Sequence, residues 1–305
     1  MKGRTSMRTP LTFLVTLQNL TAPFVLQARY FLSRKHIVTP PVPPPLINFN
    51  QMRNHFSISR YIREYREQSQ SRELPFLKDI AQLNPNSVTL DFGCGLGRMA
   101  SAYLMEGGSC GLYYGWEPDL FALKWLRKEY SQQNSFRFGG HPLTASQTYL
   151  SKGTQLSENY EDKDLAIPEK ESWHKFVEGV KFDLIWTSSI FTHTFPSTTV
   201  EILKLFKEIA KPGSWIVNTF LSIDDQSERA MKAGTADRKL PLSVNGIRTY
   251  DAKNPLVCTA YTVEQINQIY LEVGFPKPEI RFGSWAGRDN GVTYQDLVIV
   301  QMPQD

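Results

Sequence analysis

A short apolar run that ends in a cluster of glycines constrains the fold of this chain most strongly. The run covers Ser87–Phe92, the turn Gly93–Gly97 holds three glycines, and a helical pattern continues over Arg98–Met105. A strand that enters a helix through a glycine turn is the first half of a strand–helix–strand unit, whose two strands run parallel. The turn therefore predicts a parallel sheet that binds its ligand at the carboxyl edge of the strands.

The same alternation of apolar runs and helical patterns continues through the 305-residue chain. Further strands are predicted at Gly111–Trp116, Phe136–Phe138, Phe182–Ser188, Ser214–Leu221, Glu279–Trp285 and Leu297–Gln301. Helices are predicted at Phe56–Ala81 with a break near Pro75, and at Leu120–Tyr130, Thr199–Ala210 and Thr262–Val273. Because the strands are apolar on both faces, we expect an α/β fold: a doubly wound, mostly parallel seven-stranded sheet with helices on both faces. The last two strands are expected to form a hairpin, which makes the last strand antiparallel. Residues 141–180 are predicted to be a polar insert, and residues 223–261 an irregular loop on the substrate side.

The first part of the chain differs from the rest in charge. Residues 1–63 contain nine lysines and arginines and no acid, whereas the remainder has 25 basic and 30 acidic residues, a net charge of −5. Five prolines within residues 40–45 predict a stiff linker. They divide a basic N-terminal extension (1–45) from the main domain (46–305). The uncharged stretch Leu11–Ala28 fits either a disordered extension or a segment for targeting or weak membrane contact.

Charge and cysteine content exclude several classes of protein. An acidic main domain argues against a nucleic-acid partner, because such proteins concentrate basic charge on the folded domain. Cys94, Cys110 and Cys258 form no CxxC pair, which predicts reduced thiols and a cytoplasmic location. No group of histidines, cysteines and acids has metal-ligand spacing, so no metal is expected.

Acidic residues near the ends of the first two strands indicate the kind of ligand. Asp91 lies two residues before Gly93, and Glu117 follows the second strand, 22 residues after Gly95. A carboxylate at the end of the second strand, such as that of Glu117, can accept hydrogen bonds from ribose hydroxyls. A dinucleotide fits imperfectly, because the third glycine comes one residue earlier than in its usual motif. Asp91 instead suits a cationic ligand without phosphate.

Four segments at matching intervals resemble the class I S-adenosylmethionine-dependent methyltransferases. They are the glycine loop Leu90–Arg98, the ribose-binding strand end Tyr114–Glu117, the fourth strand and its turn Phe182–His193, and the turn into the fifth strand Lys211–Val217. The resemblance covers about residues 70–301 and implies a Rossmann-like fold with S-adenosyl-L-methionine as cofactor. The cofactor-binding residues it implies are Asp91, Gly93, Gly95, Gly97, Arg98, Glu117 and Ser188. One departure follows the third strand, where many of these enzymes carry an adenine-binding acid and this chain has Gly139-Gly140-His141.

The methyl acceptor is expected at the same edge of the sheet, among residues that follow the later strands. The candidate substrate-binding residues are Tyr61, Trp285, Arg288 and Asp296, with a helix over Phe56–Tyr65 covering the pocket. Arg288 either binds an anionic acceptor or lies in solvent. His193 is the candidate catalytic base, and a hydrogen-bonded structural histidine is the alternative.

The function that follows from the resemblance is methyl transfer to an oxygen or nitrogen of a small-molecule or glycan acceptor. The glycan class is suggested by the terminal segment Gly283–Arg288 with Gln295-Asp296, which resembles a bacterial branch of the family. The alternatives are a nicotinamide-dependent oxidoreductase and a non-catalytic cofactor-binding protein. Exocyclic-amine chemistry on bases is disfavoured, because Thr187–Ile190 lacks the motif of the amino-methylating enzymes of DNA and RNA.

Overall fold

The structure is a computed structural model that describes residues 41–43, 62–63, 65–67, 69–140 and 167–304. It divides into two compact units, residues 1–68 and residues 69–305. In the first unit, residues 62–63 and 65–67 are helical. None of the helices in the described ranges is long and apolar enough to cross a membrane.

Several predicted features lie outside the described residues. They are residues 1–40 of the extension, most of the helix over Phe56–Tyr65 with the candidate Tyr61, and residues 141–166 of the polar insert. The domain boundary after residue 45 and the bounds of the insert therefore stay predictions.

The second unit is built on a seven-stranded sheet. The described strands of this unit are β1 (Val88–Phe92), β2 (Leu112–Trp116), β3 (Phe136–Gly139), β4 (Phe182–Thr187), β5 (Ala210–Phe220), β6 (Ser222–Ile223), β7 (Leu242–Val244), β8 (Ile247–Thr249), β9 (Tyr261–Thr262), β10 (Glu279–Arg281) and β11 (Asp296–Gln301). Seven of them form the large sheet, while β6 pairs with β9 and β7 pairs with β8 in two small sheets. The order in the large sheet is β10-β11-β5-β4-β1-β2-β3, and β11 runs antiparallel to both of its neighbours. The other pairs in that sheet are parallel. This arrangement confirms the predicted Rossmann-like fold class with its antiparallel last strand.

Seven α-helices connect the strands. They are α1 (Leu74–Ala81), α2 (Arg98–Met105), α3 (Leu120–Glu129), α4 (Lys170–Val177), α5 (Pro196–Ile209), α6 (Asp225–Ala233) and α7 (Val263–Val273) among the described residues. Buried side chains of α4, α5 and α7 pack on one face of the sheet, and those of α1, α2 and α3 pack on the other. Because both faces are covered, the central strands are apolar throughout, as in β4, where Ile185 and Trp186 are both fully buried on opposite faces.

The strand order brings the carboxyl ends of β1, β2, β4 and β5 to one edge of the sheet. Asp296, the first residue of β11, pairs with Phe220, the last residue of β5. The start of β11 and the loop before it therefore lie at that same edge. We call it the ligand edge, because ligands of open parallel sheets bind there.

The structure corrects the sequence prediction in two segments. Helix α4 lies within the predicted polar insert, and α6 lies within the predicted irregular loop. Trp173, Phe176 and Val177 of α4 have the i, i+3, i+4 spacing of a helix face, but eight residues give too short a pattern to stand out. Asp224 and Ser227 form a capping box at the start of α6, a signal that was present in the sequence.

Candidate functional site

The glycine turn after β1 is fastened to the end of β2. The backbone N–H groups of Gly93 and Cys94 both donate to the carbonyl of Trp116, at 2.8 and 3.1 Å. Gly93, Gly95 and Gly97 have φ values of 78°, 55° and 79°, in the left-handed region that favours glycine. The turn thus has a fixed backbone path between two neighbouring strand ends.

The three glycines of the turn differ in what surrounds them. A Cβ at Gly93 would lie 2.2 Å from Ile190 Cδ1, and one at Gly97 would lie 2.6 Å from Leu126 Cδ2. A Cβ at Gly95 would meet nothing within 4 Å. Close packing therefore explains Gly93 and Gly97. Gly95 instead leaves open space beside the turn, as close approach of a ligand to the backbone requires.

Glu117 joins the second strand end to the glycine turn. Its Oε2 accepts the N–H of Gly95 at 2.7 Å, and its Oε1 accepts the N–H of Asp119 at 2.8 Å. The residue is 8% exposed, and burial raises the pKa of its carboxyl to about 7 against the effect of these two hydrogen bonds. Each carboxylate oxygen can accept a further hydrogen bond, so Glu117 can bind hydroxyls while it holds the turn.

Asp91 is a second buried carboxyl beside the turn. Its Oδ2 accepts the hydroxyl of Tyr113 on β2. Burial raises the pKa of Asp91 to about 7, against the hydrogen bond from Tyr113; the nearby Glu73 raises it further, and Arg98 lowers it. Arg98, the first residue of α2, thus lies close enough to influence Asp91 by its charge. Two carboxyls with raised pKa values therefore lie near one turn, a feature that marks functional sites.

The end of β3 has no room for side chains. A Cβ at Gly139 would lie 2.3 Å from the ring of Phe176, and one at Gly140 would lie 1.9 Å from the carbonyl oxygen of Glu117. His141 lies outside the described residues. Phe176 of α4 thus leaves no room for a side chain at Gly139, and the carbonyl of Glu117 leaves none at Gly140.

A strained residue that was not predicted from the sequence follows β4, directly before Ile190, which packs against Gly93. Ser189 follows β4 with φ = 60°, which is rare for a residue other than glycine. Its N–H donates to Thr219 Oγ1 at 2.7 Å, and its Oγ donates to Gln295 Oε1 at 3.1 Å. The predicted cofactor residue Ser188 lies half-buried at the same bend. Backbone strain of this kind is frequent at active sites.

His193 lies in a short 3-10 turn after β4 and is half-buried. Its Nδ1 lies 2.8 Å from the carbonyl oxygen of Leu256. Because a carbonyl only accepts, Nδ1 carries the proton, and Nε2 is the unprotonated nitrogen of the neutral ring. Burial lowers the pKa of His193 and favours that neutral form. The hydrogen bond to Leu256 fits a structural histidine. The unprotonated Nε2 also fits a catalytic base, which must be able to accept a proton.

Trp285 and Asp296, two of the predicted substrate-binding residues, are completely buried. Asp296 accepts the N–H groups of Ser222 at 2.5 Å and Gly283 at 2.7 Å, and the indole N–H of Trp285 at 2.9 Å. These contacts join the start of β6 to the loop between β10 and β11. In this arrangement both side chains fix the loop and neither is available to a ligand, which gives no support to the predicted substrate contacts.

Arg288, in the same loop, is held rather than solvated. Its side chain is 10% exposed, its Nη2 donates to Asp224 Oδ2 at 2.6 Å, and its guanidinium carbon lies 4.0 Å from the ring centre of Phe282. Its Nη1 is buried and makes no hydrogen bond among the described residues. Binding of an anionic acceptor by Arg288 stays a prediction.

The described residues include no group of three or more histidines, cysteines or acids that could hold a metal ion. What the ligand edge provides is an open glycine turn, two buried carboxyls of raised pKa and a strained serine turn. This set can bind the hydroxyls and the positive charge of an organic ligand.

No model of a known protein family matches the chain. Its structure is similar to magnesium protoporphyrin IX methyltransferase from Synechocystis PCC 6803 with bound SAH, at 12% identity, with 93% of this chain and 99% of that chain covered and a TM-score of 0.44. It is also similar to 1,6-didemethyltoxoflavin-N1-methyltransferase from Burkholderia thailandensis, at 13% identity, with 88% of this chain and 93% of that chain covered and a TM-score of 0.46. A third similar structure is human N-acetylserotonin methyltransferase, at 12% identity, with 85% of this chain and 56% of that chain covered and a TM-score of 0.46. Likenesses at this level assign neither a substrate nor a residue role to this chain, so the contacts around the glycine turn carry the functional assignment.

Proposed function

We propose that the chain is an S-adenosylmethionine-dependent methyltransferase that acts on an oxygen or nitrogen of a small-molecule or glycan acceptor. The observation that carries this proposal is the carboxylate of Glu117, held by the N–H of Gly95 at 2.7 Å beside a glycine that faces open space. A ribose diol needs an acceptor at this place, and the open space lets the rest of the ligand pass over the turn.

Electrostatics favour this cofactor over a dinucleotide. Asp91 and Glu117 are both buried beside the turn, and Glu73 adds a third acid close to Asp91. A pyrophosphate at the start of α2 would be attracted by Arg98 but repelled by these three acids, whereas the acids would attract a sulfonium or ammonium group. S-adenosylmethionine, when bound, supplies an electrophilic methyl group on a positively charged sulfur.

The chain's own contribution to such a transfer is alignment and exclusion of water. Glu117 holds the ribose, and the backbone of the glycine turn fixes the distance of the ligand from β1. Ile190, which follows β4, lies next to that turn, because its side chain occupies the space beside Gly93. The acceptor then lies on the side of β4 and β5, where His193 Nε2 is the candidate group to take up a proton.

The nature of the acceptor is proposed from charge. The chain beyond residue 63 has a net charge of −5, which disfavours a nucleic acid and is compatible with a neutral small molecule or glycan. Arg288 adds a second class of methyl acceptor, namely molecules with an oxygen that can accept a hydrogen bond from the buried Nη1.

Calorimetric titration of the full chain with S-adenosylhomocysteine and, separately, with NAD⁺ tests the proposal. We expect micromolar binding of the first, a common strength for such sites, and much weaker binding of NAD⁺. Equal or tighter binding of NAD⁺ would support the oxidoreductase alternative. Binding without methyl transfer to any pool of small molecules or glycans would support the non-catalytic alternative.

A further inference from the structure

The surface around Arg238 combines a positive charge with exposed aromatic groups. Arg238 follows helix α6, and the backbone N–H of its neighbour Asp237 donates to the carbonyl of Trp285 at 2.9 Å. The Nε of Arg238 donates to the hydroxyl of Tyr294, two residues before β11, at 3.4 Å. Because the start of β11 lies at the ligand edge, these contacts place Arg238 at that edge as well.

Arg238 has no acidic partner within the described ranges. Its guanidinium forms no ion pair there, and its two Nη groups make no hydrogen bond with the described residues. By contrast, Arg248 and Arg288 pair with Glu228 and Asp224. The side chain of Arg238 is also exposed. A planar guanidinium in this state can donate two parallel hydrogen bonds to a carboxylate that arrives from solution.

The candidate base His193 lies close to this charge. The N–H of Thr259 donates to the carbonyl of Thr192 at 2.8 Å, which joins the segment before β9 to the turn that contains His193. Leu256, in the same segment, accepts the hydrogen bond from His193 Nδ1. Burial and the positive charge of Arg238 lower the pKa of His193, against the hydrogen bond with Leu256. The influence of Arg238 requires that the two side chains lie near each other.

Exposed apolar and aromatic side chains surround Arg238. Tyr294 is 36% exposed, Tyr250 is 44% exposed, and Val257, which directly follows Leu256, is 46% exposed. Burial raises the pKa of Tyr250, and the charge of Arg238 acts against this, so Tyr250 lies near Arg238 too. We call Arg238, Tyr250, Val257 and Tyr294 the Arg238 patch. Aromatic faces of this kind favour contact with the flat body of a ring molecule.

An acid next to the patch, Asp251, is engaged elsewhere. It directly follows Tyr250, and its charge adds to the effect of burial on the pKa of Tyr250. Its Oδ1 accepts the N–H groups of Lys253 at 2.9 Å and Asn254 at 3.2 Å, and its Oδ2 accepts Asn254 Nδ2 at 3.3 Å. The charge of Arg238 is therefore not neutralised by Asp251.

We propose that Arg238 binds the carboxylate of a small aromatic methyl acceptor, whose ring lies against Tyr250 and Tyr294 beside His193. The assignment rests on the proposed function for the methyl transfer itself. Within that function it names the acceptor class, aromatic carboxylates, and a residue that was not among the predicted site residues. Arg238 differs from the predicted Arg288 in being exposed and without an ion pair.

The test is the binding of three pairs of acid and amide to the full chain. The pairs are benzoate with benzamide, 4-hydroxybenzoate with 4-hydroxybenzamide, and 3,4-dihydroxybenzoate with its amide. The two members of a pair share their shape, but the amide is neutral. Calorimetry with and without S-adenosylhomocysteine measures each affinity. We expect at least one acid to bind with a Kd of about 0.1–1 mM and its amide to bind about 10-fold more weakly.

Variants of Arg238 identify the group that binds the acid. Arg238→Gln removes the charge and should weaken binding of the acid about 10-fold, with the amide changed less than about 2-fold. Arg238→Lys keeps the charge without the planar pair of donors and should give an intermediate loss. Lys239→Gln is the matched control, because it removes the same charge one residue further on, where the Nζ lies near Gly234. It should change the affinity for the acid less than about 2-fold.

The outcomes separate this assignment from the proposed function. Failure to bind S-adenosylhomocysteine would overturn the proposed function, while an acid that still binds through Arg238 would support the anion site. Binding of S-adenosylhomocysteine with no binding of any acid would overturn the assignment alone. Equal affinities for acid and amide, or unchanged affinity for the acid in Arg238→Gln, would also overturn it. A dimer of the full chain that Arg238→Gln dissociates would overturn it as well and indicate that a second copy covers the patch.

Discussion

Glu117 and Gly95 are joined by a 2.7 Å hydrogen bond from the backbone N–H of the glycine to the carboxylate, across 22 residues of sequence. The bond connects the end of β2 to the turn after β1. Because Glu117 also accepts the N–H of Asp119, one side chain organises both turns of the proposed cofactor site. Its substitution therefore affects the shape of the turn as well as the contacts of a ligand.

Two substitutions of Glu117 should separate these effects. Glu117→Gln keeps an oxygen that can accept the Gly95 N–H but removes the charge, whereas Glu117→Ala removes both. We expect Glu117→Ala to weaken binding of S-adenosylhomocysteine by about 1.5–3 kcal/mol and Glu117→Gln by less, since charged acceptors form the stronger hydrogen bonds. Calorimetry measures both, with the exposed carboxylate variant Asp79→Ala as control. Unchanged affinity in Glu117→Ala would show that another group binds the ribose.

Cofactor affinity should depend on pH around neutrality. Burial raises the pKa values of Asp91 and Glu117 to about 7, from ordinary values of 3.8 and 4.5. A cationic ligand favours the ionised carboxylates, so binding releases protons, and the affinity for S-adenosylmethionine should rise from pH 6 to pH 8. Calorimetry in buffers of different ionisation enthalpy detects the released protons. S-adenosylhomocysteine lacks the sulfonium charge and should show a smaller rise, and an affinity that is flat or falls with pH would contradict this reasoning.

The same two carboxyls affect the unliganded fold in the opposite direction. Between about pH 4 and pH 7 the unfolded chain loses these protons while the folded chain keeps them, so the stability of the unliganded chain should fall as the pH rises through this window. Urea unfolding at several pH values measures this contribution. The pH slope in Glu117→Gln, which cannot titrate at that position, should be smaller than in the unaltered chain.

Asp296 should be important for stability rather than for acceptor binding. Asp296→Asn leaves at least one of three buried N–H donors facing an amide N–H₂ group, and we expect a loss of at least about 2 kcal/mol in the free energy of unfolding. Asp289→Asn, at an exposed position of the same loop, should change it by less than about 0.5 kcal/mol. If Asp296→Asn instead unfolded like the unaltered chain and lost only turnover, the predicted substrate role would stand.

The strain at Ser189 can be measured by comparing two variants. Ser189→Gly and Ser189→Ala both remove the Oγ contact with Gln295, but only glycine adopts φ = 60° without cost. We expect Ser189→Gly to be more stable than Ser189→Ala by about 1 kcal/mol in urea unfolding. The neighbouring Ser188 does not have a positive φ. There the alanine variant should be the more stable one, because glycine only increases the conformational entropy of the unfolded chain. The same order at both positions would mean that Ser189 is unstrained.

The sequence by itself determined the fold class and the position of the glycine turn. The apolar strands, the turn glycines and the two strand-end acids are local signals, readable because a buried strand, a tight turn and an amphipathic helix each require particular residue types. The predicted bounds of α2, Arg98–Met105, agree with the structure.

Only the tertiary structure decided which candidate side chains are buried and paired with one another. Trp285 and Asp296 have the polarity of binding residues, yet pairing of β11 with β5 buries them against each other. The strain at Ser189 has no local signal, because the groups that hold this residue, Thr219 and Gln295, are distant in the chain. The burial of Asp296 and the raised pKa of Glu117 arise from packing between elements distant in the chain, which is why residue patterns along the chain do not contain them.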